Sequence, residues 1–248
     1  MRTGSAIPGI DGRNVREVLL GVYERLLAAY GPQGWWPGET AFEVIVGAIL
    51  TQSAAWANVE KALANLKAAG ALSPDGLHEL DEGEIARLIR PSGYFNAKGR
   101  TLQAFVEMLY REFGGRLGEL LALPMDPLRG LLLATHGVGP ETADSIVLYA
   151  AGQPSFVIDA YTRRTFSRIG VQPGPAHGAA HPEVSKGERG YEAWRRLFMA
   201  ALPAVAAMFN EYHALIVAHG KAVCRKAPLC GECALREVCE VGRASTPA

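Results

Sequence analysis

Leucine, valine and alanine recur along this chain at intervals of three and four residues, and alternating apolar–polar runs are few. That is the period of a helix, not of a strand, so the chain is expected to be helical almost throughout. Val15 to Tyr30 is an amphipathic helix that ends at Gly31-Pro32. Gly34-Trp35-Trp36-Pro37-Gly38 is a loop, and apolar helices follow from Thr40 to about Gln52 and from Trp56 to Ala69. Leu72-Ser73-Pro74 caps a helix reaching about Leu80, and Glu82 to Ile89 is a short one that stops before Pro91. Ala97 to Phe113 follows the turn from Pro91 to Asn96, and Asp126 to Ala134 leads into Gly137-Val138-Gly139. Gly174 to Gly190, rich in Gly, Ala and charge, reads as a surface loop in which His177 and His181 are solvated. Tyr191 to Ala218 is helical again. No internal repeat interrupts this pattern.

The stretch from Leu131 to Gly170 carries the first chemistry. An apolar helix ends at the glycine turn 137–139 and another begins at Pro140. The new helix offers unpaired N–H groups and the positive end of its dipole beside a turn without bulky side chains, which is a seat for phosphate. Val157-Ile158-Asp159 then places a carboxylate directly after an apolar run, followed by Arg163, Arg164 and Arg168. A backbone anchor near a solitary acid points to chemistry on a nucleotide.

Composition narrows this little. At 248 residues the chain can bury a large core, in one domain or two. It is 49% hydrophobic and 20% charged with zero formal net charge, so bulk charge gives no hint of nucleic acid. No apolar run approaches membrane-spanning length, and the N-terminus lacks a signal-like core; no membrane partner and a cytoplasmic location are expected. All four cysteines fall in Cys224-x5-Cys230-x2-Cys233-x5-Cys239. So tight a set in a cytosolic chain means a metal rather than disulfides. The spacing alone leaves zinc and a [4Fe–4S] cluster both open.

G-V-G-x-x-T-A, followed by Val157-Ile158-Asp159 and Arg164, resembles the helix-hairpin-helix and Gly/Pro-Asp signature of the endonuclease III superfamily of DNA glycosylases. The resemblance covers nearly the whole chain. It implies an all-α, two-lobed fold: a six-helix barrel domain with the hairpin at 33–153, and a helical domain of 1–32 with 154–248. The family's C-terminal cysteine motif tips the metal to [4Fe–4S] on Cys224, Cys230, Cys233 and Cys239, although the first gap here is one residue shorter. The implied partner is double-stranded DNA with damaged bases, met by a monomer at a bacterial nucleoid. Gly137, Val138, Gly139 and Thr142 would hold the backbone, Gln52 would fill the space of a flipped base, and Tyr94 would wedge the duplex. Lys98, Arg163 and Arg164 would serve phosphates, with Arg168 a further candidate.

Within that family the resemblance implies that Asp159 is catalytic. N-glycosidic cleavage passes through an oxocarbenium-like state that a carboxylate stabilises, or for which it positions water. Asp159 also suits a helix N-cap. Glu141 stands where lyase members carry a Schiff-base lysine; a carboxylate cannot form that adduct, so lyase activity is expected to be weak or absent. The contexts of Trp35, Trp36 and Trp56, and the stretch from Arg90 to Lys98, resemble the bacterial 3-methyladenine glycosylases of this superfamily, whose aromatics sandwich the base. That branch's best-known members lack the cysteine cluster. Alkylated purines, 3-methyladenine foremost, are thus the expected substrates, and a bifunctional enzyme for oxidised pyrimidines is the alternative. A mismatch-type adenine glycosylase fits less well, because Gly47 replaces its glutamate. A non-catalytic damage-binding module is the alternative of another class.

Overall fold

In a computed structural model, residues 14–174 and 186–245 are described. His177 and His181, expected to be solvated, lie outside them. The described residues form helices and connecting turns, with no strand among them. No helix among them is long and apolar enough to cross a membrane. Two compact units result, Trp36–Ser155 and Met1–Trp35 with Phe156–Ala248.

The unit Trp36–Ser155 contains α2 (Ala41–Leu50), α3 (Trp56–Ala68), α4 (Pro74–His78), α5 (Glu82–Leu88), α6 (Phe95–Phe113), α7 (Leu117–Leu121), α8 (Met125–Ala134) and α9 (Pro140–Ser145). Each apolar stripe seen in the sequence faces one core, where Ile45, Ile49, Leu66, Ile85, Phe105, Leu109 and Leu132 are fully buried. Burial of such side chains contributes about 1.5–3 kcal/mol each. Caps fix the starts. Thr40 accepts from the Glu43 N–H, Ser73 from Gly76, and Asp81 with Glu84 makes a reciprocal capping box. Past α9 the helix widens to a π turn over Ile146–Ala150, a feature that shifts the phase of every side chain after it.

In the other unit, α1 (Val15–Tyr30) packs with α11 (Lys186–Ala201) and α12 (Ala206–Ala222), and α12 packs with α10 (Ala160–Ile169). Its core is aromatic: Phe156 stacks on Phe198 at 4.3 Å, and Phe166, Phe209 and Tyr212 meet this pair edge-on. The buried Tyr212 hydroxyl donates to the Leu19 carbonyl at 2.6 Å and ties α12 to α1. A short helix, α13 (Glu240–Ala244), closes the chain.

Two expectations change. The long helix from Tyr191 is two helices, broken around Pro203, whose ring cannot continue a helix. The expected loop up to Gly190 is shorter, because α11 already begins at Lys186.

Candidate nucleic-acid site and cysteine centre

Asp159 ends an extended segment and caps α10. Its Oδ1 accepts from the Thr162 backbone N–H at 2.6 Å and from the Thr162 hydroxyl at 2.8 Å. Oδ2 lies 3.7 Å from His213 Nε2 on α12, beyond hydrogen-bond length. The carboxylate is only 8% exposed. Burial alone would raise its pKa, but the His213 imidazole and the two bonds from Thr162 outweigh it and hold the acid below its ordinary value. Asp159 is therefore an ionised carboxylate at a helix N-terminus, one oxygen committed to the cap and the other less so. His213 was not foreseen; a histidine in a largely apolar helix carries no signal of its own.

The hairpin is built from α8, the turn and α9. Gly137 has φ +80, and a Cβ there would fall 1.9 Å from the Thr101 hydroxyl of α6, so only glycine fits. A Cβ added at Gly139 would meet nothing within 4 Å, so no side chain covers the backbone where α9 begins. Val138 and Thr142 turn inward: Val138 joins the core, and the Thr142 hydroxyl accepts from Gln52 Nε2 at 2.8 Å. Gln52 also donates to the Gly137 carbonyl at 3.3 Å, so it is docked on the hairpin. Beneath α9, the fully buried Asp144 takes both its Oδ atoms to Arg129, at 2.9 and 3.1 Å, and accepts from the Ser155 hydroxyl. Glu141 is exposed on the first turn of α9.

Tyr94 is 75% exposed and left-handed, with φ +46. Lys98, four residues and one helical turn further on, is 3% exposed and donates to the Leu50 and Ser92 carbonyls at 2.8 and 2.7 Å. Its ammonium is thus spent inside the protein rather than on a phosphate. Burial pushes its pKa below the ordinary value. Arg164 is likewise spent, donating to the Cys224 and Gly220 carbonyls at 2.7 and 2.9 Å with its guanidinium over Tyr161. Arg163 is half-buried on the same helix.

Trp36 and Trp56 meet edge to face at 5.5 Å. Tyr149, from the π turn, is 5.1 Å from Trp36 and was not foreseen, because the π turn breaks the period that would have placed it. Trp36 lies on Gly47, where a Cβ would sit 3.3 Å from the indole nitrogen. The glycine that replaces a glutamate is what lets the indole lie flat. Trp35 has Lys221 5.9 Å from its ring.

Cys224, Cys230, Cys233 and Cys239 line one cavity. Among the described residues, no group of His, Cys, Asp or Glu is arranged to hold a single metal ion. Arg168 donates to Cys224 Sγ at 3.3 Å and to the Arg225 and Lys226 carbonyls, so it serves this loop. His219 Nε2 is 3.8 Å from Cys233 Sγ, and its Nδ1 meets the Tyr30 hydroxyl at 2.9 Å. Burial, and then Arg164, push the His219 pKa down to about 4. Burial, and also the neighbouring cysteines, push the Cys233 and Cys239 thiols up. A cationic centre reverses that preference and favours thiolates. Four cysteines lining one cavity, with Arg168 donating to one of them, are a donor set that suits either a structural zinc or a [4Fe–4S] cluster.

The model of the HhH-GPD superfamily base excision DNA repair protein matches residues 46–184. A Methanocaldococcus jannaschii protein named "Putative DNA repair glycosylase MJ1434" is 42% identical over 228 residues, 91% of this chain and 97% of that protein. Endonuclease III of Sulfolobus acidocaldarius is 26% identical over 201 residues, 80% of this chain and 81% of its own length. Among solved structures, endonuclease III in a non-covalent DNA complex matches with TM-score 0.73 at 20% identity, over 92% of this chain and 97% of that one. The H. pylori 3-methyladenine DNA glycosylase bound to 1,N6-ethenoadenine matches with TM-score 0.65 at 23% identity, over 84% and 98%. These two likenesses establish the all-α, endonuclease III-like fold that the helical pattern and the hairpin motif led one to expect. By the extent of the family match and the identity to the archaeal relative, the chain belongs to the HhH-GPD superfamily of base excision DNA repair proteins.

Proposed function

We propose that this protein is a DNA N-glycosylase that excises alkylated purines, 3-methyladenine foremost, from double-stranded DNA by hydrolysis without strand cleavage. The observation that carries the reading is Asp159: a buried carboxylate held ionised, with one oxygen left outside its helix cap. Such a group stabilises the cationic sugar that forms as the base departs, or orients the water that captures it. The leaving base takes the electron pair of the broken N-glycosidic bond, and water supplies the hydroxyl. Glu141 cannot attack the sugar as an amine would, so the reaction ends at an abasic site.

The lesion follows from Trp36, Trp56 and Tyr149. An alkylated purine such as 3-methyladenine is cationic, and electron-rich rings select it by stacking and cation–π attraction. It is also a good leaving group, which spares the site a general acid. Gln52 and Tyr94 serve the flipped state by filling the duplex, and the bare backbone at Gly139 seats a phosphate. Cys224, Cys230, Cys233 and Cys239 would hold a [4Fe–4S] cluster; when bound, it would cross-link the C-terminal loop.

The test measures base release from duplexes that carry 3-methyladenine, 7-methylguanine or an oxidised pyrimidine, with borohydride trapping on abasic DNA in parallel. Release of the methylated purine with no trapped adduct is expected. A strong adduct with release of the oxidised pyrimidine would establish the bifunctional alternative instead. Iron analysis and the visible spectrum of the same preparation test the cluster.

A further inference from the structure

Among the described residues only two non-glycine residues have positive φ, Ser53 at +52 and Tyr94 at +46. Each of them belongs to one of the two loops assigned above to probing DNA: Ser53 follows Gln52, and Tyr94 is the wedge. Left-handed backbone at a residue with a side chain is costly and persists only where the surroundings impose it. One side chain binds both loops. Lys98 Nζ donates to the carbonyl of Leu50, two residues before Gln52, and to that of Ser92, two residues before Tyr94. Lys98 also lies in the first turn of α6, its backbone N–H bonded to the Tyr94 carbonyl at 3.0 Å.

The energetics are unusual for a lysine. A buried ammonium is normally balanced by a carboxylate, yet the partners of Lys98 are neutral backbone carbonyls, and burial depresses its pKa. A charge kept inside at that cost, when an apolar residue of the same length would fill the space, marks a specific task. The carbonyls at 50 and 92 need a donor, and a single donor common to both sets the distance between the loops. Gln52 is docked in turn on the Thr142 hydroxyl and the Gly137 carbonyl, and Gly137 lies against Thr101 on α6, one helical turn beyond Lys98. The two probes and the hairpin therefore form one rigid body on α6.

We infer that Lys98 is a positioning residue that fixes the spacing of Gln52 and Tyr94, so that both enter the duplex together when a base is displaced. This rests on the proposed function insofar as it takes those two residues as the inserting pair. Misplacing inserting groups by an ångström costs far more than their contact area would imply.

The test uses the full-length protein and one lesion in two settings: paired in a duplex, and opposite a one-nucleotide gap, where no partner base has to be replaced. Lys98→Met, close in length, removes both bonds. Excision from the paired substrate should fall roughly thirtyfold and from the gapped one by less than about threefold, with partial recovery in Lys98→Arg. Equal losses on the two substrates, or no loss, would overturn the inference, since a merely less stable protein loses both alike. If Lys98→Met does not fold, Lys98→Gln, which keeps a donor for one loop, is read on the same pair. Fluorescence of 2-aminopurine beside an abasic-site analogue reads insertion without any excision. Wild-type protein should brighten it and Lys98→Met should not, even if the enzyme's lesion proves to be another one. Equal brightening by both proteins counts against the inference.

Discussion

Asp144 and Asp159 are both buried carboxylates, one in each compact unit, and they are held in opposite ways. Asp144 is fully buried, clasped at both oxygens by Arg129 and bonded at Oδ1 by Ser155. A bidentate guanidinium is the strongest partner a carboxylate can have, and it leaves nothing for a substrate. Among the described residues, no arginine or lysine forms an ion pair with Asp159. Thr162 holds one oxygen, and the other faces His213 across 3.7 Å. Saturation makes the first acid a rivet between α8 and the end of the hairpin helix. Incomplete saturation, with ionisation secured by a helix N-terminus, leaves the second able to respond to charge that develops in a substrate.

The largest effect should separate the two in kind. Arg129→Met leaves the Asp144 charge buried without its guanidinium, and should cost about 3–5 kcal/mol of stability, measured by chemical denaturation. Excision per folded molecule should be nearly unchanged. Replacing both partners, as Arg129→Met with Asp144→Leu, should return most of that stability. Asp159→Asn should do the reverse: excision falls by at least about a hundredfold while DNA affinity stays. A full-rate Asp159→Asn enzyme would end the contrast, as would an Arg129→Met protein that is stable yet inactive.

How much of this could be read in the sequence follows from which forces are local. Helix starts were legible wherever a cap announces them, as at Thr40, Ser73 and Asp81, because capping is settled within four residues. So was Asp159 as the cap of α10, since Thr162 lies at the capping distance. The short helix α7 and the π turn were not, because neither has enough turns for a period to show. The direction of long side chains was the least legible. Lys98 and Arg164 look like phosphate ligands in sequence, yet each is drawn inward by backbone carbonyls that no sequence pattern reveals. Trp35 has Lys221 near its ring, and Trp36 meets Trp56 and Tyr149, contacts that their adjacency in sequence does not reveal. Gly47 shows the same limit. Its lack of a glutamate is visible in the sequence, and the indole resting on it is not.

A smaller effect sharpens the role of His213. His213→Phe keeps a ring in the apolar helix and removes the nitrogen that faces Asp159. The excision rate should fall about tenfold with DNA affinity within about twofold, the split expected of a residue that acts through the carboxylate. Weaker binding with an unchanged rate would assign His213 to DNA contact instead.

The smallest effect is on acid stability. The Asp159 carboxyl titrates lower in the folded protein than its ordinary 3.8. Its ionised form is thus favoured by folding, so its contribution is complete above about pH 3.8 and disappears as pH falls from there through the folded value. Asparagine can still cap α10 but carries no charge for the helix N-terminus. Wild type should therefore exceed Asp159→Asn in stability by about 1 kcal/mol near neutrality, and the gap should close below pH 3.8. A gap that stays constant down to acid unfolding would mean that the cap, rather than the charge, is what folding selects at this position. The second oxygen would then have no claim to being held ready for a substrate.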